Sequence, residues 1–468
     1  MTLTDLTLAE QGEGLRSGRC TSRELVDAHL ARIAALDARL HAFVDVYADE
    51  ARTLADAADR ARAARLPLGP LHGLPIALKD LCDIAGRVGT AGSRLWAGRI
   101  ADTTSATVER LLAAGMIPLG KTHMVEFAFG AWGSNAPMGT PWNPWDLQRH
   151  RVPGGSSSGT AVAVAAGLAP VGIGSDTGGS VRIPAAFNGL VGLKVSFGRI
   201  SLHGTALLSW TLDTIGPIGR SVDDCAQVLA ALAGPDPRDP DTLGVPALDL
   251  PAVIDPGAVR GARIALPDAD QLPPFMHPAV LAAWQDGAQR LERLGAHVVP
   301  ARLPAWHFEL ASAATAIIGS EAYALHREAI EDPAQPIGEV FRERARNAVR
   351  LAPAGYAQAL RLMHQRRRLF SEWFRAFDAL WLPAVALPAP PLDEIDEHGP
   401  VPAFLTRPAN YLGLCALSLP AGLHQGLPLG MQLIGKPYDE RTILQIGKAW
   451  QEDSGLHRLR PALEAPGA

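Results

Sequence analysis

Residues 154–184 read GGSSSGTAVAVAAGLAPVGIGSDTGGSVRIP. Two glycine-serine segments, residues 154–159 and 174–180, lie on either side of an almost wholly apolar segment. A flexible linker would be polar along its whole length, whereas residues 160–168 predict a buried helix and residues 171–176 a buried strand. We therefore expect the chain to fold back on itself and to bring the two glycine-serine segments together.

Helices and strands alternate on both sides of this stretch. The spacing of apolar residues predicts further helices at 21–65, 105–115, 221–233 and 277–294, and one that begins at 439. Short apolar runs predict strands at 74–80, 116–122, 262–267 and 296–300, and three more in DALWLPAVALP, LCALSLPAG and LPLGMQLIG. Such alternation is typical of an α/β fold, in which helices cover both faces of a central sheet.

The run of elements predicts a single domain over residues 1–468. Its expected parts are an N-terminal helical region at 1–65, a core at 66–233, a linker loop at 234–260 and the C-terminal part of the core at 261–468. The linker loop is rich in proline, aspartate and glycine. Residues 306–378 are mostly helical and interrupt the alternation, so we expect them to cap a site.

The composition limits the kinds of partner. With 468 residues, of which 47% are hydrophobic and 19% charged, the chain can bury a large core. A net charge of -5 gives no reason to expect nucleic acid or an anionic membrane as a partner. The sequence shows neither a secretory signal nor an apolar run of the roughly 20 residues that a membrane span needs. Four widely separated cysteines lack metal-ligand spacing, so we expect no metal site and reduced thiols in a cytoplasmic protein.

Three short motifs compete to explain the glycine-serine segments. Residues 155–159 match G-x-S-x-G, the turn that exposes a nucleophilic serine in many hydrolases, but the polar residues before them make a poor strand. Residues 176–178 match the Asp-Thr-Gly triplet of aspartic proteases, although the second copy at 453–455 lies in a helical context. A phosphate-binding loop would need a G-x-x-x-x-G-K signature that is absent. We interpret the first two as chance matches and the third as a weak one.

Several longer segments in a fixed order give a better explanation. LPIALKD, GGSSSG and GSDTGGS follow one another as they do in the amidase signature family, and this chain resembles that family closely. Other similar segments are KTHMVEFAFG, GTPWNPWD, GLVGLKVSFGRIS, LSWTLDTIGPIGRSVDD, RPANYLGLCALSLPAG and LPLGMQLIG. The resemblance covers most of the chain and implies the amidase signature fold, with a mixed central sheet.

The resemblance also implies three catalytic roles. Ser180 would be the nucleophile, Ser156 a bridging serine and Lys79 the base. A serine hydroxyl is a weak nucleophile that needs a neighbouring base, and a lysine can serve as that base when burial lowers its pKa. Lys79 ends an apolar run, which is consistent with burial. The family holds its bridging serine in a cis peptide, so we expect one between Gly155 and Ser156.

Residues near the nucleophile are expected to bind the substrate and its oxyanion. Thr177, Gly178 and Gly179 directly precede Ser180 and offer adjacent backbone N–H groups. Ala128 is predicted to join them, and residues 306–360 are expected to shape the rest of the acyl pocket. We expect Asp176 and Arg182 to form a structural ion pair that braces this loop.

Two further positions bear on the choice of substrate. One branch of the family releases ammonia from glutamine within a tRNA-dependent amidotransferase. That branch has glutamine where this chain has Ile183, and an acidic residue where this chain has Ala403. Without a partner for the ammonium of glutamine, we expect a free-standing amidase that takes a neutral, fairly apolar small-molecule amide or anilide and needs no cofactor.

Three alternatives stay open. The chain could be the glutamine amidase subunit of a tRNA-dependent amidotransferase, or an ester or carbamate hydrolase of the same family. A non-enzymatic scaffold ranks last because all three catalytic residues are present. The sequence leaves a homodimer open.

Overall fold

The structure is a computed structural model that describes residues 2–348, 353–397 and 402–463. The strands are β1 (Phe43–Val46), β2 (Pro75–Lys79), β3 (Ile117–Thr122), β4 (Val171–Ser175), β5 (Val191–Lys194), β6 (Ile215–Gly219), β7 (Arg263–Leu266), β8 (His297–Pro300), β9 (Ala379–Pro383), β10 (Cys415–His424) and β11 (Leu427–Gly435). The helices are α1 (Leu8–Ser17), α2 (Ser22–Leu40), α3 (Ala48–Ala63), α4 (Ala106–Ala113), α5 (Ser158–Ala165), α6 (Arg182–Asn188), α7 (Val222–Leu232), α8 (Pro278–Arg293), α9 (Leu310–Glu331), α10 (Glu339–Ala348), α11 (Pro353–Phe374), α12 (Arg407–Tyr411) and α13 (Glu440–Ser454).

One mixed sheet contains every strand of the described residues. The strand order is β1-β3-β2-β4-β6-β5-β10-β11-β9-β7-β8. Strand β2 runs parallel to β3 and β4, and β7 runs parallel to β8 and β9, whereas the other neighbours are antiparallel. Helices α5 and α6 contact each other, and α7, α8 and α13 pack against strands; the strand residues that α5 and α6 touch point to the face opposite those that α8 and α13 touch. This confirms the predicted α/β fold with helices on both faces of the sheet.

Residues 21–65 form two helices and a strand rather than the continuous helix that the sequence predicts. Helix α2 begins at the capping box of Thr21 and Glu24, in which each side chain binds the backbone N–H of the other residue. It ends at Leu40, and the next residue, His41, has a left-handed φ of 55°. Strand β1 follows and pairs with β3. The expectation of helix is therefore wrong at 41–47, because a strand of four residues gains its partner from a distant part of the chain.

The parallel strands β2 and β4 bring two parts of the site together. Leu78 pairs with Ile173, so the two strands end at the same edge of the sheet. Strand β2 ends at Lys79 and β4 ends at Ser175. Helix α5 begins at Ser158, within the first glycine-serine segment, and every one of its residues is buried. The topology therefore places both glycine-serine segments beside Lys79.

Helices α9 and α10 lie over this edge and contribute residues to the wall of the cavity described below. This confirms the predicted helical cap. The predicted linker, 234–260, contains two short 3-10 helices, Pro240–Thr242 and Pro256–Val259. Among the described residues, no helix combines the length and the apolar character that crossing a membrane requires.

Candidate active site

Lys79 lies at the centre of a cluster of serine hydroxyls. Its Nζ is 2.8 Å from Oγ of Ser156, 2.8 Å from Oγ of Ser175 and 3.0 Å from Oγ of Ser157. All four side chains are buried. The two glycine-serine segments therefore meet, as the sequence predicts, and both contribute hydroxyl groups to the same lysine.

The surroundings of Lys79 favour its neutral form. Burial lowers the pKa of Lys79 to about 7, because removal from water disfavours the charged ammonium. The negative charge of Asp213 acts in the opposite direction and raises this pKa. Within the described residues, the hydrogen-bond partners of Nζ are hydroxyls and none is a carboxylate. A large fraction of the lysine is therefore neutral at and above neutral pH.

Ser156 belongs to this cluster, and the backbone of Ser180 contacts it. The Gly155–Ser156 peptide is cis, as the resemblance implies. The N–H of Ser157 donates to the carbonyl of Ser180 at 3.3 Å, which joins the two glycine-serine segments at the predicted nucleophile. The side chain of Ser180 lines a cavity, while the residue as a whole is only 8% exposed.

Asp176 fixes the shape of the loop that precedes Ser180. Its carboxylate pairs with Arg182 at two points, Nε to Oδ2 and Nη2 to Oδ1, both at 3.0 Å. This confirms the predicted structural ion pair. The carboxylate also accepts hydrogen bonds from Nδ2 of Asn410 at 2.9 Å and from the N–H of Gly179 at 2.7 Å. Burial raises the pKa of Asp176, but Arg182 outweighs this effect and holds the pKa below its ordinary value.

The backbone N–H groups of this loop differ in their availability. The N–H of Gly179 is donated to Oδ1 of Asp176 at 2.7 Å, and a direct role of Gly179 in binding an oxyanion stays a prediction. The N–H groups of Thr177, Gly178 and Ser180 have no acceptor among the residues that the structure describes. Gly179 has a φ of 130°, and a Cβ there would overlap Oγ1 of Thr406. Gly179 therefore contributes a backbone shape that other residues would not adopt.

Asp213 anchors the beginning of the same loop. Its Oδ1 accepts a hydrogen bond from Oγ1 of Thr177 at 2.5 Å. Its Oδ2 accepts from the N–H groups of Leu208 and Ser209 at 2.8 and 3.0 Å. Burial raises the pKa of Asp213 to about 6, so the carboxylate is mostly ionised at neutral pH.

A cavity of about 540 Å³ opens onto Ser180. Ala128, Thr177 and Gly178 line it, so three of the four predicted substrate positions lie in the same cavity wall as the predicted nucleophile. Ala128 has a φ of 60°, in the left-handed region, and its N–H is donated to the carbonyl of Val125 at 2.9 Å. Helices α9 and α10 form another part of the wall.

The sequence did not indicate several residues of this site. Ser157 and Ser175 bind Lys79, and Asp213 holds Thr177, although all three lie in segments that resemble the family. The sequence also did not single out the charged residues of the cavity wall; those described are Arg344, which lies within the expected range 306–360, Glu397 and Arg407. No group of three histidine, cysteine or carboxylate side chains within the described residues could hold a metal ion.

Comparison with known proteins gives consistent similarities over the whole chain. The amidase family model matches residues 24–444. A glutamyl-tRNA(Gln) amidotransferase subunit of Symbiobacterium thermophilum is 37% identical over 96% of this chain and 97% of its own length.

Two solved structures have closely similar folds. One is described as an unexpected vestigial protein complex that reveals the evolutionary origins of an s-triazine catabolic enzyme. It has a TM-score of 0.90 and 34% identity over 98% of this chain and 100% of the other. The native peptide amidase of Stenotrophomonas maltophilia has a TM-score of 0.84 and 32% identity over 98% of each chain. The chain therefore belongs to the amidase signature family, whose enzymes act on amide C–N bonds.

Proposed function

We propose that this chain hydrolyses a carboxamide through an acyl-enzyme formed on Ser180. The observation that carries the proposal is the buried Nζ of Lys79, 2.8 Å from Oγ of Ser156, beside the cavity that Ser180 lines. The proposal assigns Ser180 as nucleophile, Ser156 as proton relay and Lys79 as general base. A serine that attacks a carbonyl needs a group to take its proton, and the neutral lysine offers a lone pair for it.

The hydrogen bonds around Lys79 are compatible with a relay through Ser156. A neutral amine has two N–H donors and one lone pair, so one of the three neighbouring hydroxyls donates to Nζ. Oγ of Ser157 donates to the carbonyl of Ser175 at 3.3 Å, which leaves Ser156 and Ser175. We assign the donor role to Ser156, in keeping with the resemblance to the family.

The proposed reaction has two half-reactions. Oγ of Ser180 attacks the amide carbon, while its proton passes to Oγ of Ser156 and the proton of Ser156 passes to Nζ of Lys79. The C–N bond then breaks, and the leaving nitrogen receives a proton through the same relay in reverse. A water molecule repeats the sequence on the acyl-enzyme, which releases the carboxylic acid and restores the hydroxyl of Ser180.

The oxyanion of the tetrahedral intermediate is proposed to lie against the loop that precedes Ser180. The N–H groups of Thr177, Gly178 and Ser180, for which the described residues offer no acceptor, are the donors in this proposal. Each donor of this kind contributes about 3–4 kcal/mol to transition-state stabilisation. The Asp213–Thr177 hydrogen bond and the Asp176–Arg182 ion pair hold these groups in place before substrate arrives.

Labelling with a fluorophosphonate tests the nucleophile. The wild-type protein should form a covalent adduct on Ser180, and Ser180→Ala should give neither adduct nor turnover. Ser158→Ala is the matched control, because Oγ of Ser158 is buried and has no hydrogen-bond partner among the described residues. That variant should be labelled like the wild type. Turnover by Ser180→Ala at the wild-type rate would refute the assignment.

A glutamine-using subunit is the second candidate, and the known relatives support it better than they support a free-standing amidase for neutral amides. The relative from Symbiobacterium thermophilum belongs to a glutamyl-tRNA(Gln) amidotransferase and matches nearly the whole chain. The cavity provides the opposing observation. Ala403 and Ile183 both line it, and Glu397, the carboxylate in its described wall, is already paired with Arg344. The ammonium of glutamine would therefore lack a free acidic partner in the part of the wall that the structure describes.

Product release by the purified chain separates the two candidates. We expect activity without added subunits, and we expect glutamine to be a poor substrate. The measurement compares initial rates for glutamine, an apolar amide, an anilide, an ester and a carbamate at equal concentration. A preference for glutamine, or activity that appears only after the other subunits of an amidotransferase are added, would establish the second candidate instead.

A further inference from the structure

Arg407 extends into the cavity next to the catalytic loop. Its Cγ lies 3.0 Å, and its Nε 3.5 Å, from the point where a Cβ on Gly178 would be. The preceding residue, Thr406, donates a hydrogen bond from Oγ1 to the carbonyl of Gly178 at 2.7 Å. The guanidinium of Arg407 is therefore held close to the loop that carries Ser180, and it lines the same cavity.

The other arginine of the cavity is already neutralised. Nη2 of Arg344 pairs with Oε2 of Glu397 at 2.5 Å. Nη1 of Arg344 donates to the carbonyl of Phe129 at 2.7 Å, and Nη2 also donates to the carbonyl of Glu397 at 2.9 Å. The carboxylate of Glu397 additionally accepts a hydrogen bond from Ser134. This pair braces the wall and offsets the positive charge of Arg344.

Arg407, by contrast, forms no hydrogen bond or ion pair with any residue that the structure describes. Burial, and then the charge of Arg344, lower the pKa of Arg407 to about 10, so it remains a cation at neutral pH. The described wall thus holds two cations and one anion, and the surplus positive charge lies at Arg407. A sequestered cation without a counter-charge is unfavourable, and a guanidinium matches the two oxygens of a carboxylate.

We propose that the substrate is a carboxamide whose acyl part carries a carboxylate, and that Arg407 binds this carboxylate. The inference rests on the proposed hydrolysis at Ser180, and it replaces the neutral acyl group expected from the sequence with an anionic one. Because Arg407 lies against Gly178, two residues from the nucleophile, the chain between the carboxylate and the amide is short. Monoamides of short dicarboxylic acids meet these conditions. Glutamine meets them less well, because its ammonium would enter a wall with surplus positive charge.

A series of matched amides tests this inference. Malonamate, succinamate and glutaramate carry the carboxylate, their diamides replace it with a neutral group of similar shape, and glutamine adds an ammonium to glutaramate. For at least one chain length, kcat/KM for the monoamide should exceed that for the diamide by about 10- to 100-fold. This ratio corresponds to the free energy that a hydrogen bond to a charged group contributes. Glutaramate should also be a better substrate than glutamine.

Variants of single arginines test whether the preference for the monoamide over the diamide depends on Arg407. Arg407→Gln should reduce the ratio of the two kcat/KM values to about one, and Arg407→Lys, which keeps the charge but loses the planar fork, should retain part of it. Arg346→Gln is the matched control, because Arg346 lies on α10 and donates to the carbonyl of Ile330 at 2.8 Å, outside the described cavity wall. It should keep the wild-type ratio. A monoamide preference that persists in Arg407→Gln would refute the inference.

A binding measurement makes the test independent of turnover. Malonate, succinate or glutarate should slow fluorophosphonate labelling of Ser180 in the wild type and should not do so in Arg407→Gln. If labelling occurs but no dicarboxylate protects and neutral amides are hydrolysed as well as their anionic counterparts, the carboxylate site is refuted while the proposed hydrolysis stands. If Ser180 is not labelled and no amide is hydrolysed, the proposed function itself fails.

Discussion

At the scale of single residues, the proton affinity of Lys79 sets the pH at which the proposed enzyme can work. Its pKa is lowered to about 7, mainly by burial, and the charge of Asp213 opposes this shift. The base must be neutral to accept a proton, so kcat/KM should rise as the pH increases through this pKa and level off above it. The rate rises with pH because the cationic form of Lys79, which cannot accept a proton, is the inactive form.

Two substitutions test which group causes this rise of kcat/KM with pH, the acidic limb of the pH profile. Lys79→Ala should lower kcat/KM by about 10²- to 10⁴-fold and abolish the limb. Asp213→Asn removes a negative charge that raises the pKa of Lys79. The acidic limb of this variant should therefore lie at lower pH than that of the wild type. The measurement is the profile of kcat/KM against pH, with circular dichroism as the check on folding. An unchanged limb in Lys79→Ala would mean that another group is the base.

The sequence identifies some residues of the site and not others for a physical reason. Lys79, Ser156 and Ser180 each lie in a continuous motif, so their catalytic roles can be predicted without coordinates. The contact of Asp213 with Thr177 depends on how two loops pack. The surplus charge of Arg407 depends on which cations of the wall are already paired, and no local pattern reveals that.

At the scale of elements, the sequence predicts most helices and strands close to where they occur. Strands β5 and β6 were missed, and their sequences VGLK and IGPIG explain why. Glycine and proline disfavour an isolated strand, and here the sheet itself requires the glycine. A Cβ on Gly216 in β6 would overlap the carbonyl oxygen of Leu193 in β5. Close approach between neighbouring strands thus selects residues that weaken the sequence signal.

The loop between β4 and α6 depends on a glycine in the same way. Gly179→Ala combines an unfavourable φ with an overlap between the new Cβ and Thr406, so we expect it to lower the free energy of unfolding by about 1–3 kcal/mol. It should also slow fluorophosphonate labelling. Gly422 has a similar φ of 127° but no atom within 4 Å of its Cβ position, so Gly422→Ala isolates the backbone contribution and should label normally. Thermal unfolding measures the loss of stability, and the rate of fluorophosphonate labelling measures the effect on Ser180. If Gly179→Ala and Gly422→Ala changed both quantities equally, the close contact between residue 179 and Thr406 would have no role of its own.

At the scale of the whole molecule, the sheet consists of two halves that are continuous in sequence. Strands β1–β6 form one side and β7–β11 the other, and the pairing of β5 with β10 joins them. The prediction of a single domain over 1–468 stays a prediction, with the long loop at 234–260 between the halves. The sequence could not reveal which strand of one half meets which strand of the other, because that pairing depends on packing across the full sheet.

The bracing of Arg182 crosses the boundary between these halves. Its Nη1 donates to Oε1 of Gln432 at 2.8 Å, and its Nη2 donates to Oδ1 of Asn410 at 2.7 Å. A ribosome makes Ser180 long before it makes either of these partners. The nascent polypeptide therefore carries its proposed nucleophile through about half of translation without the side chains that hold the surrounding loop, and we expect hydrolytic competence only when the last strands have joined the sheet.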